Sequence, residues 1–366
     1  KRNTGPGEEA NAAPGPFFKE EGRWDGGRKR MGTRMRAWLS VGMAAVCALL
    51  MAGCAQGEAA LEVDAVNLQA AVEEREEIPA WAAPYVTEET GPCEQEIRRW
   101  SRPEPETLPE AGPEEMRGLL TALGLDQDAV VSYSLERLEE FCSAKTITVH
   151  SAYLRTGEDG AVSYHTREEA LAELTADQKR ETGDAWMNLR VGWTSGSKEP
   201  EGDLFTVTAL WLTQPAQGWE DVIGIAVKGY TADDSTLRGW YRSGGEDEAG
   251  AGLEDGTAYQ TLAAPDWEGG AMILDLAGTA QGQGKKAYME LYARPLYPEI
   301  SMHSQVCGTY LHQREQQEES PALGLLQGPE EGEKSRGWLE HSVTVSKSLR
   351  EQYAPRTLLC EFCYAP

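Results

Sequence analysis

The chain is 366 residues long and carries 34 Lys and Arg against 60 Asp and Glu, a formal net charge of −26. Such a surface repels phosphate backbones and anionic lipid, which excludes nucleic acid as a partner and a basic patch as a means of membrane attachment. The length suffices for a substantial core. Charge vanishes at one place near the start. From Ala37 to Gly53 no residue is charged, and just before this 17-residue run stand Arg28, Lys29, Arg30, Arg34 and Arg36. A basic stretch followed by an apolar one is the layout of an export signal. A buried helix would keep a polar face at helical spacing, and a membrane span needs about 20 apolar residues.

The run ends in Leu50-Met51-Ala52-Gly53-Cys54, which resembles the lipobox of bacterial lipoproteins, with Met51 where Leu is usual. The resemblance covers about the first 57 residues. It implies that the Cys54 thiol is diacylated, that the chain is cut just before it, and that the new N-terminus is acylated too, several chains giving stable anchoring. Membrane attachment then runs through lipid on Cys54, at the extracytoplasmic face of the cell membrane. An uncleaved anchor and an ordinary secretory signal are the alternatives, and all three export the rest of the chain. Residues 1–53 are thus leader and signal peptide, starting near Met31 or Met35. Without them 25 Lys and Arg face 55 Asp and Glu, a net charge of −30.

Residues 54–112 are acidic and Pro-rich, as in "RRWSRPEPETLPEAGPEE", and are expected to form a disordered tether. The segment "PEEMRGLLTALGLD" then predicts a short helix, with Pro113 in its first turn, Met116, Leu119, Leu120 and Leu123 on one side and Gly124 at its end. A second helix is expected from Ser134 to Cys142. A third, "TREEALAELTADQKRE", opens with Thr166 as N-cap and Glu169 as capping-box partner.

Beyond Lys145 the apolar period changes to two. "TITVHSAYL" puts Ile147, Val149 and Tyr153 on one face and Thr146, Thr148 and His150 on the other, as in a half-buried strand. "LFTVTALWL" and "VIGIAVKGY" read as neighbouring central strands burying Phe205, Val207, Trp211, Ile223 and Ile225, with Thr208 on the opposite face. "GAMILDLAG" and "KKAYMELYARP", joined by "TAQGQG", read as a hairpin, and "GWLEHSVTVS" and "RTLLCEFCYA" as further strands. Many short strands without βα alternation predict a mainly β fold, an antiparallel β-sandwich or partly closed barrel with a few short helices, filling residues 113–366 as one module or two.

The chemistry is less defined. Setting aside Cys47 and Cys54 leaves Cys93, Cys142, Cys307, Cys360 and Cys363, an odd number, so at least one is free or pairs between chains. Cys360-x-x-Cys363 lacks the helix that lowers a redox thiol's pKa and a second ligand pair for zinc. The run from Gly278 to Lys286 misses phosphate-loop spacing and carries Lys286 where Ser or Thr would hold magnesium. His341 shares strand parity with Leu339, Val343 and Val345. His303 and His312 flank Cys307, but strand parity sends His312 and Cys307 to opposite faces. Glu246, Asp247, Glu248, Glu254 and Asp255 crowd one Gly-rich loop without the alternating spacing of a calcium loop. No catalytic, cofactor or metal residue can be named; lipidation at Cys54 is the one site. The function expected is a non-catalytic ligand- or partner-binding module of the bacterial envelope, its partner a polymer or protein. A lipid-anchored hydrolase of glycan or peptide and a structural assembly lipoprotein are the alternatives.

Overall fold

The computed structural model describes residues 77–103, 112–157, 161–177, 185–198, 202–213, 220–242, 254–255, 257–264, 267–275, 286–313 and 353–364. They belong to the second of two compact units, Ala59–Pro366. The signal segment and Cys54 lie outside the described residues.

The first strands, β1 (Val86–Thr90) and β2 (Glu96–Ser101), form an antiparallel hairpin, and β2 pairs with β3 (Thr146–Thr156). They fall inside the stretch expected to be a tether, so the domain begins well before residue 112. Composition misled here because the acids point outward, Glu88 pairing with Arg98 at 2.9 Å and Glu89 with Arg99 at 3.6 Å. Meanwhile Trp100 is fully buried, and one such side chain contributes a large share of the apolar area that orders a short segment.

Three helices follow: α1 (Pro113–Leu123), α2 (Gln127–Ser132) and α3 (Leu135–Ser143). In α1 the Gly112 amide donates to the Glu115 carboxylate at 2.7 Å, and Gly124, with φ of 105°, ends the helix in the left-handed conformation that glycine adopts readily. The short α2 was not expected; Asp126 caps it, accepting from the Ala129 amide at 3.0 Å. Ser134 caps α3 through the Arg137 amide at 3.2 Å. Met116, Leu119, Leu120, Leu123 and Phe141 pack on Trp100, Ile147 and Val149. A fourth helix, α4 (Arg167–Asp177), closes the expected capping box between Thr166 and Glu169 at 3.0 and 3.2 Å.

The remaining strands are β4 (Val162–His165), β5 (Ala185–Lys198), β6 (Gly202–Trp211), β7 (Glu220–Lys228), β8 (Tyr230–Ala232), β9 (Arg238–Arg242), β10 (Glu254–Asp255), β11 (Thr257–Ala264), β12 (Trp267–Asp275), β13 (Lys286–Pro295), β14 (Met302–Gln313) and β15 (Tyr353–Tyr364). They build two antiparallel sheets. The larger runs β1-β2-β3-β5-β6-β13-β9-β10, with β4 on β3 and β8 on β13; the smaller runs β11-β12-β7-β14-β15. Between them lies a core of Leu189, Val191, Phe205 and Val207 from one sheet and Ile223, Ile225, Tyr310, Leu358 and Phe362 from the other. The fold is mainly β, an antiparallel sandwich with a few short helices; among the described residues neither sheet closes into a barrel.

Two strand pairings differ from expectation. The β6 strand lies between β5 and β13, and β7 between β12 and β14, so the two belong to different sheets. The five side chains assigned to their buried face do share one core, because period two fixes which face is apolar but not which strand lies alongside. Likewise β12 and β13 belong to separate sheets and do not pair as a hairpin. The large sheet is also covered on both faces near its centre. Thr208, expected on an outer face, is buried at 4% exposure, and Thr148 at 1%. Gly308 lets the sheets meet closely, since a Cβ there would stand 2.4 Å from Val191 Cγ2.

Candidate ligand-binding cleft

Period two on β13 separates its side chains by chemistry. Met289 and Leu291 enter the sandwich core, so Tyr288, Glu290 and Tyr292 point the other way, toward the helices. Across the antiparallel ladder Trp240 stands opposite Tyr288 and Arg238 opposite Glu290. Helix α3 supplies Arg137 and Glu140, neighbours at i and i+3, and the turn before it supplies Tyr133. Together these groups wall a cavity of about 540 Å³, within the usual size range of ligand sites.

Arg137 organises the cavity. Its guanidinium donates to Glu140 at 2.9 Å and to Glu290 at 3.2 Å, and its carbon lies 5.5, 5.4 and 5.0 Å from the ring centres of Tyr133, Phe141 and Tyr292. The Tyr288 hydroxyl donates to Glu290 at 2.8 Å and lies 3.0 Å from the Tyr133 hydroxyl; the Tyr292 hydroxyl donates to Glu140. Burial, then the Glu290 charge, push the Tyr133 and Tyr288 phenols well above their usual pKa. Burial acts against the Arg137 charge, but Glu290 and Glu140 outweigh it and hold that pKa above its ordinary value. At neutral pH the guanidinium is therefore charged and the phenols are neutral donors.

The opposite wall is differently disposed. Trp240 stacks on Tyr288 with centroids 5.4 Å apart and planes 23° off parallel, and is only half-buried. Lys286 lies 5.7 Å from the Trp240 ring centre and pairs with Asp126 at 2.5 Å and Asp128 at 2.9 Å. Arg238 is exposed and, although it faces Glu290 across the ladder, makes no ion pair among the described residues.

A second polar group is sealed inside the sandwich. His312 Nδ1 lies 2.9 Å from Asp221 Oδ1, the Tyr310 hydroxyl donates to Asp221 at 2.6 Å, and the Trp211 indole donates to Tyr310 at 3.2 Å. The buried Arg356 guanidinium sits 4.2 Å from the Trp211 ring centre. Burial lowers the Arg356 pKa to about 10, against the pull of Asp221 and Tyr310, so it remains charged at neutral pH. The hydrogen bonds among His312, Asp221, Tyr310 and Trp211 satisfy groups that would otherwise be costly to bury.

The residues weighed from the sequence are scattered. His312 and Cys307 alternate to opposite faces of β14 as strand parity requires. Cys307 and Cys360 are buried thiols whose pKa burial raises, while Cys93 and Cys363 are exposed; all four are free. Cys360 and Cys363 project from opposite faces of β15, which rules out a shared redox centre. Lys286 is held by two aspartates. His341, the loop acids Glu246, Asp247 and Glu248, and Gly278 lie outside the described residues, as do the side chains of Cys142, Glu254 and Asp255. The cleft residues were missed, although Tyr-Met-Glu-Leu-Tyr on β13, with polar tips on one face and aliphatic groups on the other, is a readable signal.

No protein-family model matches the chain, and no curated protein does. A solved structure described as "AvmM Catalyzes Macrocyclization in Alchivemycin A Biosynthesis" is similar at 12% identity and a TM-score of 0.19. The match covers 29% of this chain and 62% of that one, and a likeness so slight fixes neither fold nor activity. Among the described residues no three of His, Cys, Asp and Glu gather as a metal centre, and no helix is long and apolar enough to cross a membrane.

Proposed function

We propose that the protein is a lipid-anchored, extracytoplasmic component of the bacterial cell envelope that binds a ligand in the cleft between α3 and strands β9 and β13. The anchoring half rests on the basic stretch, the uncharged run and the LMAGC sequence ending at Cys54. The binding half rests on one observation above all. The ionic groups of the floor are committed to one another, Arg137 to both Glu140 and Glu290, which leaves the exposed part of the Trp240 ring and the exposed Arg238 charge at the wall for recognition. Carboxylates fixed on one guanidinium form a rigid platform. An aromatic plane beside polar groups suits a sugar ring of an envelope polymer.

The mature, anchored chain is to be screened by thermal shift against oligosaccharide fragments of envelope polymers, beside Trp240→Ala. A ligand that stabilises the native chain and has at least tenfold weaker affinity for the variant supports the reading. Turnover of the ligand by the native chain would make the protein a hydrolase instead. For the anchor, Cys54→Ser releases the protein from membranes or blocks its processing; membrane attachment with an unmodified Cys54 refutes lipidation.

A further inference from the structure

His303 and Cys363 are 60 residues apart in sequence and directly opposite each other on the β14–β15 ladder. Opposite residues of an antiparallel pair share a face, and here the Cys363 sulfur lies 3.2 Å from His303 Nδ1, with both side chains exposed. The ladder holds the two strands in register over 12 residue pairs, and the Tyr364 hydroxyl, donating to the Pro298 carbonyl at 3.0 Å, pins the end of β15 next to the pair. Two donor atoms of complementary kind are thus presented to solvent on a rigid support.

We propose that His303 and Cys363 form a two-donor clamp for a thiophilic divalent cation, zinc being the type, with water in the remaining positions. Thiolate sulfur and imidazole nitrogen are the donors zinc takes, at about 2.3 and 2.0–2.1 Å. With a tetrahedral angle between them those bonds put sulfur and nitrogen roughly 3.5 Å apart, so the observed spacing needs to open by only about 0.3 Å. A linear two-coordinate ion at the same bond lengths would need roughly 4.4 Å. Hard cations such as calcium and magnesium prefer oxygen donors and are not served. On binding, the thiol proton passes to solvent as the sulfur–metal bond forms, with no change of oxidation state. Cys360 takes no part, being buried on the other face of the strand.

The test uses the full mature chain, kept reduced, titrated with cobalt(II) as the spectroscopic probe and then with zinc against a chromophoric chelator. The expected result is a thiolate-to-cobalt charge-transfer band that zinc bleaches. Cys363→Ser abolishes the band, His303→Gln weakens affinity at least tenfold, and Cys93→Ser leaves both unchanged. Since both ligands are exposed, the variants keep the denaturation midpoint of the native chain, which separates loss of metal from loss of fold. Absence of a charge-transfer band, or its persistence in Cys363→Ser, overturns the proposal.

Discussion

Removing the Trp211 side chain probes the packing between the sheets. The indole is 4% exposed. Its ring meets Tyr310 edge-on at 5.6 Å and His312 at 5.3 Å, with the Arg356 guanidinium over it at 4.2 Å. Trp211→Ala loses the transfer energy of the ring and leaves a cavity, about 3–5 kcal/mol together. The cation–π contact, with its charge desolvated, adds about 2 kcal/mol, and the indole bond to Tyr310 about 1 kcal/mol. Partial relaxation offsets some of this, so about 5 kcal/mol is expected, a large part of the roughly 5–15 kcal/mol that holds a domain folded. Urea unfolding followed by far-UV circular dichroism reads it, beside Leu359→Ala, whose side chain is 43% exposed and which should shift stability by no more than about 0.5 kcal/mol. If Trp211→Ala moves the midpoint as little as Leu359→Ala, the indole is not in the core and the register between the sheets is wrong.

Three further outcomes are expected. His150, buried and placed near Arg99, has its pKa lowered by burial first and then by that charge, to about 4. Its unfolded value is near 6.5, so its contribution to stability, up to about 3 kcal/mol, is complete above pH 6.5 and is lost as pH falls toward 4; comparing urea midpoints at pH 7.5 and 5 in native protein and His150→Gln should show the variant with the flatter dependence. Gly269→Ala would place a Cβ 2.0 Å from the Ile225 carbonyl oxygen and should cost more than the roughly 1–3 kcal/mol of ordinary overpacking, whereas Gly118→Ala within α1, where nothing stands closer than 3.8 Å, should raise thermal stability by about 0.5–1 kcal/mol. Arg137→Met leaves Glu140 and Glu290 without their shared cation and should cost about 3 kcal/mol in urea unfolding, with Arg238→Gln nearly neutral.

The sequence carried the local structure well where one physical signal dominated. Pro113, the Met116-Leu119-Leu120-Leu123 stripe and Gly124 defined α1, and Thr166 with Glu169 defined the start of α4. Alternation found the strands and sorted their faces, placing Phe205, Val207, Trp211, Ile223 and Ile225 in one core. It did not find partners, because a loop between two strands is compatible both with a hairpin and with a passage to the facing sheet. Charge density concealed β1 and β2, whose buried content is concentrated in a few side chains such as Trp100. The cleft was invisible for a related reason: Tyr133 and Arg137 meet Tyr288 and Glu290 only because β13 passes beneath α3, a contact between segments about 150 residues apart that no local pattern encodes.

Ligand binding in the cleft is read most directly from the affinity of an oligosaccharide selected by the thermal-shift screen, determined by isothermal titration on the mature chain and on Trp240→Ala. One ligand per chain is expected, with at least a tenfold loss in the variant while its urea midpoint is retained. A screen without a single stabilising ligand, or equal affinity in the two proteins, would contradict it.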